Sequence, residues 1–99
     1  MYKVKGDVIP RDIAGIYFLV DISEKDYYSK KEIFSTNQTG YEQFKIMQDL
    51  NVFTIDDLVS RFIMCLTDYT DELYAPILSD TTAFIRDLIT AGYVEELSQ

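Results

Sequence analysis

The sequence predicts an α+β domain, a small three-stranded antiparallel sheet followed by three helices, and three observations carry that prediction. In the first third of the chain apolar residues recur at every second position, whereas from Asn37 onwards they recur at helical spacing. The punctuation follows the change of period: Pro10 stands in the strand-like part, Asn37 and Thr54 precede apolar helical runs, and Gly92 follows the last one. The 99 residues are 47% hydrophobic and 14% aromatic, enough to fill one core, so a single domain over residues 1–99 is expected.

The first strand is expected around Val4, Val8 and Ile9, ended by Pro10, and at a sheet edge because proline donates nothing to a ladder. "AGIYFLVDI" is the strongest strand: Ile16, Phe18, Val20 and Ile22 fall on one face, Tyr17, Leu19 and Asp21 on the other. Residues 23–31 are polar enough for a hairpin connection, in which Tyr27 and Tyr28 read either as strand ends or as a binding tip. Ile33 and Phe34 begin a short third strand that gives way to helix with no loop between.

Asn37 is the expected cap of the first helix, since its side-chain oxygen can accept from the free N–H groups of the first turn. Tyr41, Phe44, Met47 and Gln48 continue that helix to about Leu50. Thr54 caps the second helix with Asp57 in capping-box position, and Ile55, Leu58, Val59, Phe62, Ile63 and Leu66 form its apolar stripe. Cys65 falls in this apolar region, which predicts a buried and inert thiol. Residues 67–76 form a connection with room for a turn of helix. The third helix starts at Pro76 or nearer Asp80, because proline is tolerated only in a first turn. Phe84, Ile85, Leu88 and Ile89 give it an apolar side, Gly92 ends it, and Tyr93 and Val94 begin a short extended tail.

Composition removes whole classes of chemistry. There is no histidine and only one cysteine, so neither a Cys–His nucleophile nor a zinc site can be assembled from this chain. The four glycines are scattered and form no phosphate loop. Asp56 and Asp57 lie at a helix start, where negative charge favours the helix dipole. No catalysis, no metal and no cofactor are expected. Met1 is followed by Tyr2, Lys3, Val4 and Lys5, unlike a signal peptide, and no apolar stretch nears the ~20 residues that span a bilayer. These features, with the single thiol, predict a soluble cytoplasmic domain with no membrane partner.

The net charge of −8 is unevenly placed. Residues 1–45 hold seven acidic and seven basic side chains, while residues 46–99 hold ten acidic ones against Arg61 and Arg86. Three helices with a few strands have the outline of a winged helix, whose third helix would enter a major groove. Here that helix carries Asp80 and Asp87 with Arg86, inside the acidic half, so nucleic acid is disfavoured as a partner. The other reading uses the short strand. A sheet edge has unpaired N–H and C=O groups that can accept a peptide as an added strand, a second copy of the chain, or the chain's own tail.

The segments "IAGIYFLV", "IFSTNQTGYEQFKIM", "FTIDDLVSRF" and "SDTTAFIRDLITAGYV" resemble, in order and spacing, the PqqD-like family of peptide-recognition elements in ribosomal peptide natural-product biosynthesis. The particular matches are Asn37, Thr39 and Gly40 opening the first helix, Thr54, Leu58 and Val59 in the second, and Asp80, Phe84, Leu88 and Gly92 in the third. The resemblance covers roughly residues 11–95. Gln43 departs from it, standing where the family's first helix carries an apolar residue, as does Pro76, placed where uninterrupted helix is expected.

The resemblance implies a winged-helix-like, non-catalytic domain that binds the leader segment of a precursor peptide and presents it to a modifying enzyme, often a radical S-adenosylmethionine enzyme. The leader would lie as an extra strand on Ile33, Phe34 and Ser35, in a groove beside Thr81, Phe84, Ile85 and Leu88 of the third helix. A transcriptional regulator or another protein-interaction adaptor is the alternative.

Overall fold

The computed structural model describes residues 1–5, 7–22 and 33–97. The strands are β1 (Tyr2–Val4), β2 (Val8–Ile13), β3 (Ile16–Asp21), β4 (Ile33–Thr36), β5 (Val52–Phe53) and β6 (Val94–Glu96). The helices are α1 (Gln38–Leu50), α2 (Ile55–Met64) and α3 (Tyr74–Ala91), the last preceded by a 3-10 turn at Asp71–Leu73. The α+β arrangement of a three-stranded antiparallel sheet and three helices is therefore present, with a second small sheet added to it. β2-β3-β4 form the first sheet and β5-β1-β6 the second.

The second sheet corrects the expected first strand. Val4 and Val8 belong to different strands in different sheets, and Pro10 lies inside β2 instead of ending a run. Pro10 is nonetheless tolerated because β2 is an edge strand. β2 and β3 are joined at Ala14 and Gly15, with φ of 54° and 82°. Positive φ at both positions matches the right-handed twist of the flanking strands. Asp12 Oδ1 accepts from the Gly15 N–H at 3.1 Å and helps to close this turn. The proposed hairpin connection with Tyr27 and Tyr28 lies outside the described residues.

The alternation along β3 is as expected, but the face richer in apolar residues is the open one. Leu19 is fully buried, whereas Ile16 and Ile22 are 55% and 44% exposed. The helices cover only one side of the sheet, and that is the side of Leu19. Phe44 and Met47 of α1, Leu58 of α2 and Ile85 and Leu88 of α3 converge there with Val4, Phe53 and Val94 of the second sheet. β1 gathers the last three: β5 pairs with it on one side, and on the other the tail returns after Gly92, in left-handed conformation at φ 84°, and pairs antiparallel as β6.

Both expected caps are in place. Asn37 Oδ1 accepts from the Gly40 N–H at 2.8 Å, and Thr54 with Asp57 forms a complete capping box. Pro76 sits in the first turn of α3, which starts two residues before it. Cys65 is a correction: it follows the last turn of α2 on the solvent side, and its thiol is exposed.

Candidate functional site

One backbone bond fixes which groups of the first sheet are spent. Ile22 N–H donates to Asp7 C=O at 2.7 Å, one step beyond the Val8↔Asp21 pair. Hydrogen-bonded and non-bonded pairs alternate in an antiparallel ladder. Ile9↔Val20 and Arg11↔Phe18 are therefore bonded pairs, and Leu19 and Tyr17 turn their N–H and C=O towards β4. They meet Phe34 and Thr36 there. It follows that Phe34 and Thr36 are spent on β3, while Ile33 and Ser35 direct their N–H and C=O away from the sheet. Among the described residues no strand pairs with that outer edge, and β6, the chain's own tail, completes the other sheet instead.

The same alternation decides the side chains. Phe34 turns to the helical side, where its ring lies 6.2 Å from that of Phe84 and 5.8 Å from that of Tyr93. Tyr93 also reaches Leu19 C=O with its hydroxyl at 3.4 Å, holding the centre of the sheet against the end of α3. Ser35 is exposed on the opposite side. Phe84 is half-buried and reaches from α3 towards β4. Of the other expected groove residues on α3, Thr81, Ile85 and Leu88 are buried at 0%, 1% and 0% exposure. Their side chains fill the domain, so the wall offered beside β4 is Phe84 together with Asp80, one turn earlier.

An open cleft of ≈ 410 Å³ lies where the end of β4, the start of α1 and the middle of α3 meet, lined by Thr36, Asn37, Gly40, Gln43, Asp80 and Phe84 among others. Gly40 is needed for this junction. A Cβ there would overlap Thr36 Oγ1 and come within 3.0 Å of the Phe84 ring. Gln43, the residue that departs from an apolar helix face, is 3% exposed and donates from Nε2 to Thr81 Oγ1 at 2.9 Å. That bond satisfies two polar groups inside the helix pair and joins α1 to α3 beneath the cleft. Gln43 and Asp80 carried a weak sequence signal, since neither belongs to an apolar stripe. A second cleft of ≈ 320 Å³ between α1 and α2, beside Ile46, Phe62 and Cys65, has no strand edge along it.

The fold and the site together define a winged-helix-like α+β domain in which, among the described residues, the outer edge of β4 is unpaired beside α3. The chain superposes on TbiB1, solved in complex with the TbiA(beta) leader peptide, with a TM-score of 0.66 over 98% of this chain and 99% of that one, at 12% identity. No known family matches the sequence, and no curated protein is significantly similar to it.

Proposed function

We propose that this chain is a non-catalytic peptide-binding domain that captures the leader segment of a ribosomally made precursor by strand addition to β4. The observation that carries the reading is the open edge of β4, with Ile33 and Ser35 presenting their backbone groups beside Phe84 and the cleft. The likeness in fold to TbiB1, a protein solved with a leader peptide, supports it. In this reading the bound leader is presented to a modifying enzyme, a radical S-adenosylmethionine enzyme being the expected kind.

The energetics fit an edge with a wall. Each backbone hydrogen bond yields a net ~0.5–1.5 kcal/mol, and each ordered guest residue loses ~1–2 kcal/mol of backbone entropy. Pairing alone barely breaks even, so side-chain burial against the wall must supply the surplus, at ~1.5–3 kcal/mol per large apolar group. Phe84, half-buried beside the cleft, is the apolar surface placed to supply it.

The test is an amide-resolved titration with a synthetic leader from a precursor peptide encoded beside this chain. Exchange of the Ser35 amide should slow, and shifts should cluster over residues 33–37 and 80–84 while residues 58–66 stay still. Shifts confined to residues 58–66, or none at saturating peptide, would refute strand addition at β4.

A further inference from the structure

We propose that the cleft between Thr36, Gln43, Asp80 and Phe84 is a side-chain subsite that selects a basic residue, lysine or arginine, at one fixed position of the bound peptide. The inference rests on the reading of β4 as the docking edge and adds to it what kind of side chain the groove reads.

The position follows from the ladder. A guest residue bonded to the N–H and C=O of Ser35 lies directly opposite it, and its side chain projects to the open face of the sheet, as that of Ser35 does. Its two neighbours turn to the helical face. One of them comes beside Phe34 and the other beside Thr36, and Thr36 lines the cleft. A single guest side chain is thus directed into it.

The chemistry follows from what lines it. Asp80 is exposed and, among the described residues, its carboxylate makes no ion pair or hydrogen bond. Gln43 spends Nε2 on Thr81, and its Oε1 accepts nothing. Since no buried side-chain polar atom among the described residues lacks a partner, that oxygen keeps some access to solvent, and Gln43 is one of the residues that line the cleft. Thr36 adds a hydroxyl, and among the described residues no Lys or Arg lines the cleft. Phe84 presents a ring whose face attracts cations.

The opposing term is the N-terminus of α1, which carries a partial charge of about +0.5. Asn37 already caps the Gly40 N–H there, and the full charge of Asp80 outweighs what remains. A guest carboxylate would face Asp80 directly, and an apolar guest side chain would leave both acceptors unpaired. A lysine or arginine satisfies both.

The test is affinity selection of phage-displayed random dodecapeptides on the wild-type chain and on the Asp80→Asn and Asp80→Lys variants. Exchange of the Ser35 amide identifies peptides seated on β4, and the amide spectrum of each variant verifies its fold. Wild type should enrich lysine or arginine at one alignable position. Asp80→Asn should erase that preference and weaken a selected peptide about fivefold, the upper range for an exposed ion pair. Asp80→Lys should turn the preference to glutamate or aspartate. Peptides that protect Ser35 yet show no basic position, or keep it with Asp80→Asn, would overturn the subsite and leave strand addition standing. Absence of any peptide that protects Ser35 would overturn both.

Discussion

The two edges of the β2-β3-β4 sheet are treated in opposite ways. On β2 the outward backbone groups belong to Val8, Pro10 and Asp12, because Ile9, Arg11 and Ile13 are spent on β3. Pro10 has no N–H to offer, and Val8 C=O is already taken by Gln48 Nε2 at 2.7 Å from α1. This is how natural sheets blunt an edge against stray pairing. On β4 the outward groups of Ile33 and Ser35 have neither a proline nor a side-chain partner among the described residues. Instead they stand beside a helix wall and a cleft. One edge is closed by its own sequence and the other, among the described residues, is left open, which is what a site for an added strand requires.

The sharpest way to break this contrast is to place proline at adjacent positions of β4. Phe34→Pro removes an N–H that is paired with β3 and deletes a ring packed against Phe84 and Tyr93. The cost should exceed ~3 kcal/mol, and thermal or urea unfolding should show a chain that barely folds. Ser35→Pro removes an N–H that faces outward, from an exposed residue. It should keep its cooperative transition and lose peptide binding. If the two variants exchanged behaviours, the assignment of inward and outward residues on β4 would be reversed.

The strand between the two edges should bear a comparable load. Leu19 is fully buried at the centre of β3 and packs with the cluster that includes Phe44 and Leu88. Leu19→Ala should cost ~2–5 kcal/mol, read as a shift of the unfolding midpoint. A smaller cost would mean that the sheet can collapse around the cavity. Leu88→Asp is no probe of the groove, since Leu88 is 0% exposed and an unpaired charge there strikes the core itself.

Opening the guarded edge is a milder change. Gln48→Ala releases Val8 C=O and should cost ~1 kcal/mol, the usual worth of one hydrogen bond. Combined with Pro10→Thr, it gives β2 a complete outward set of donors and acceptors. Sedimentation should then show concentration-dependent association stronger than in wild type. No added association in the double variant would mean that something other than Pro10 and Gln48 protects β2.

Much of this was legible in the sequence, and the parts that were not have physical reasons. The caps at Asn37 and Thr54, the left-handed Gly92 and the amphipathic helices depend on neighbours within four residues, so local pattern sufficed. The second sheet was not legible because β1, β5 and β6 have three, two and three residues, and β1 pairs with strands from the middle and the far end of the chain. On α3 the apolar stripe could not separate core from groove. Ile85 and Leu88 went to the core, while Phe84, beside Ile85, turned to β4. The cleft also includes Gln43 and Asp80, polar residues that no apolar pattern highlights.

The smallest effect should come from the residue that the strand pattern makes most conspicuous. Ile16 shares its face of β3 with Phe18 and Val20, and alternation alone cannot tell that face from the one that carries Leu19. The helices lie on the other side, so Ile16 remains 55% exposed and its neighbour across the turn, Ile13, 61% exposed. Ile16→Thr keeps a β-branched side chain suited to a strand and removes little buried area. Its cost should stay within ~0.5 kcal/mol, as for surface positions generally, with an unchanged denaturant slope. A loss above ~1.5 kcal/mol that grows with protein concentration would show this face covered by a second copy. The open side of the sheet would then be an interface, and only the β4 edge would remain free for a guest.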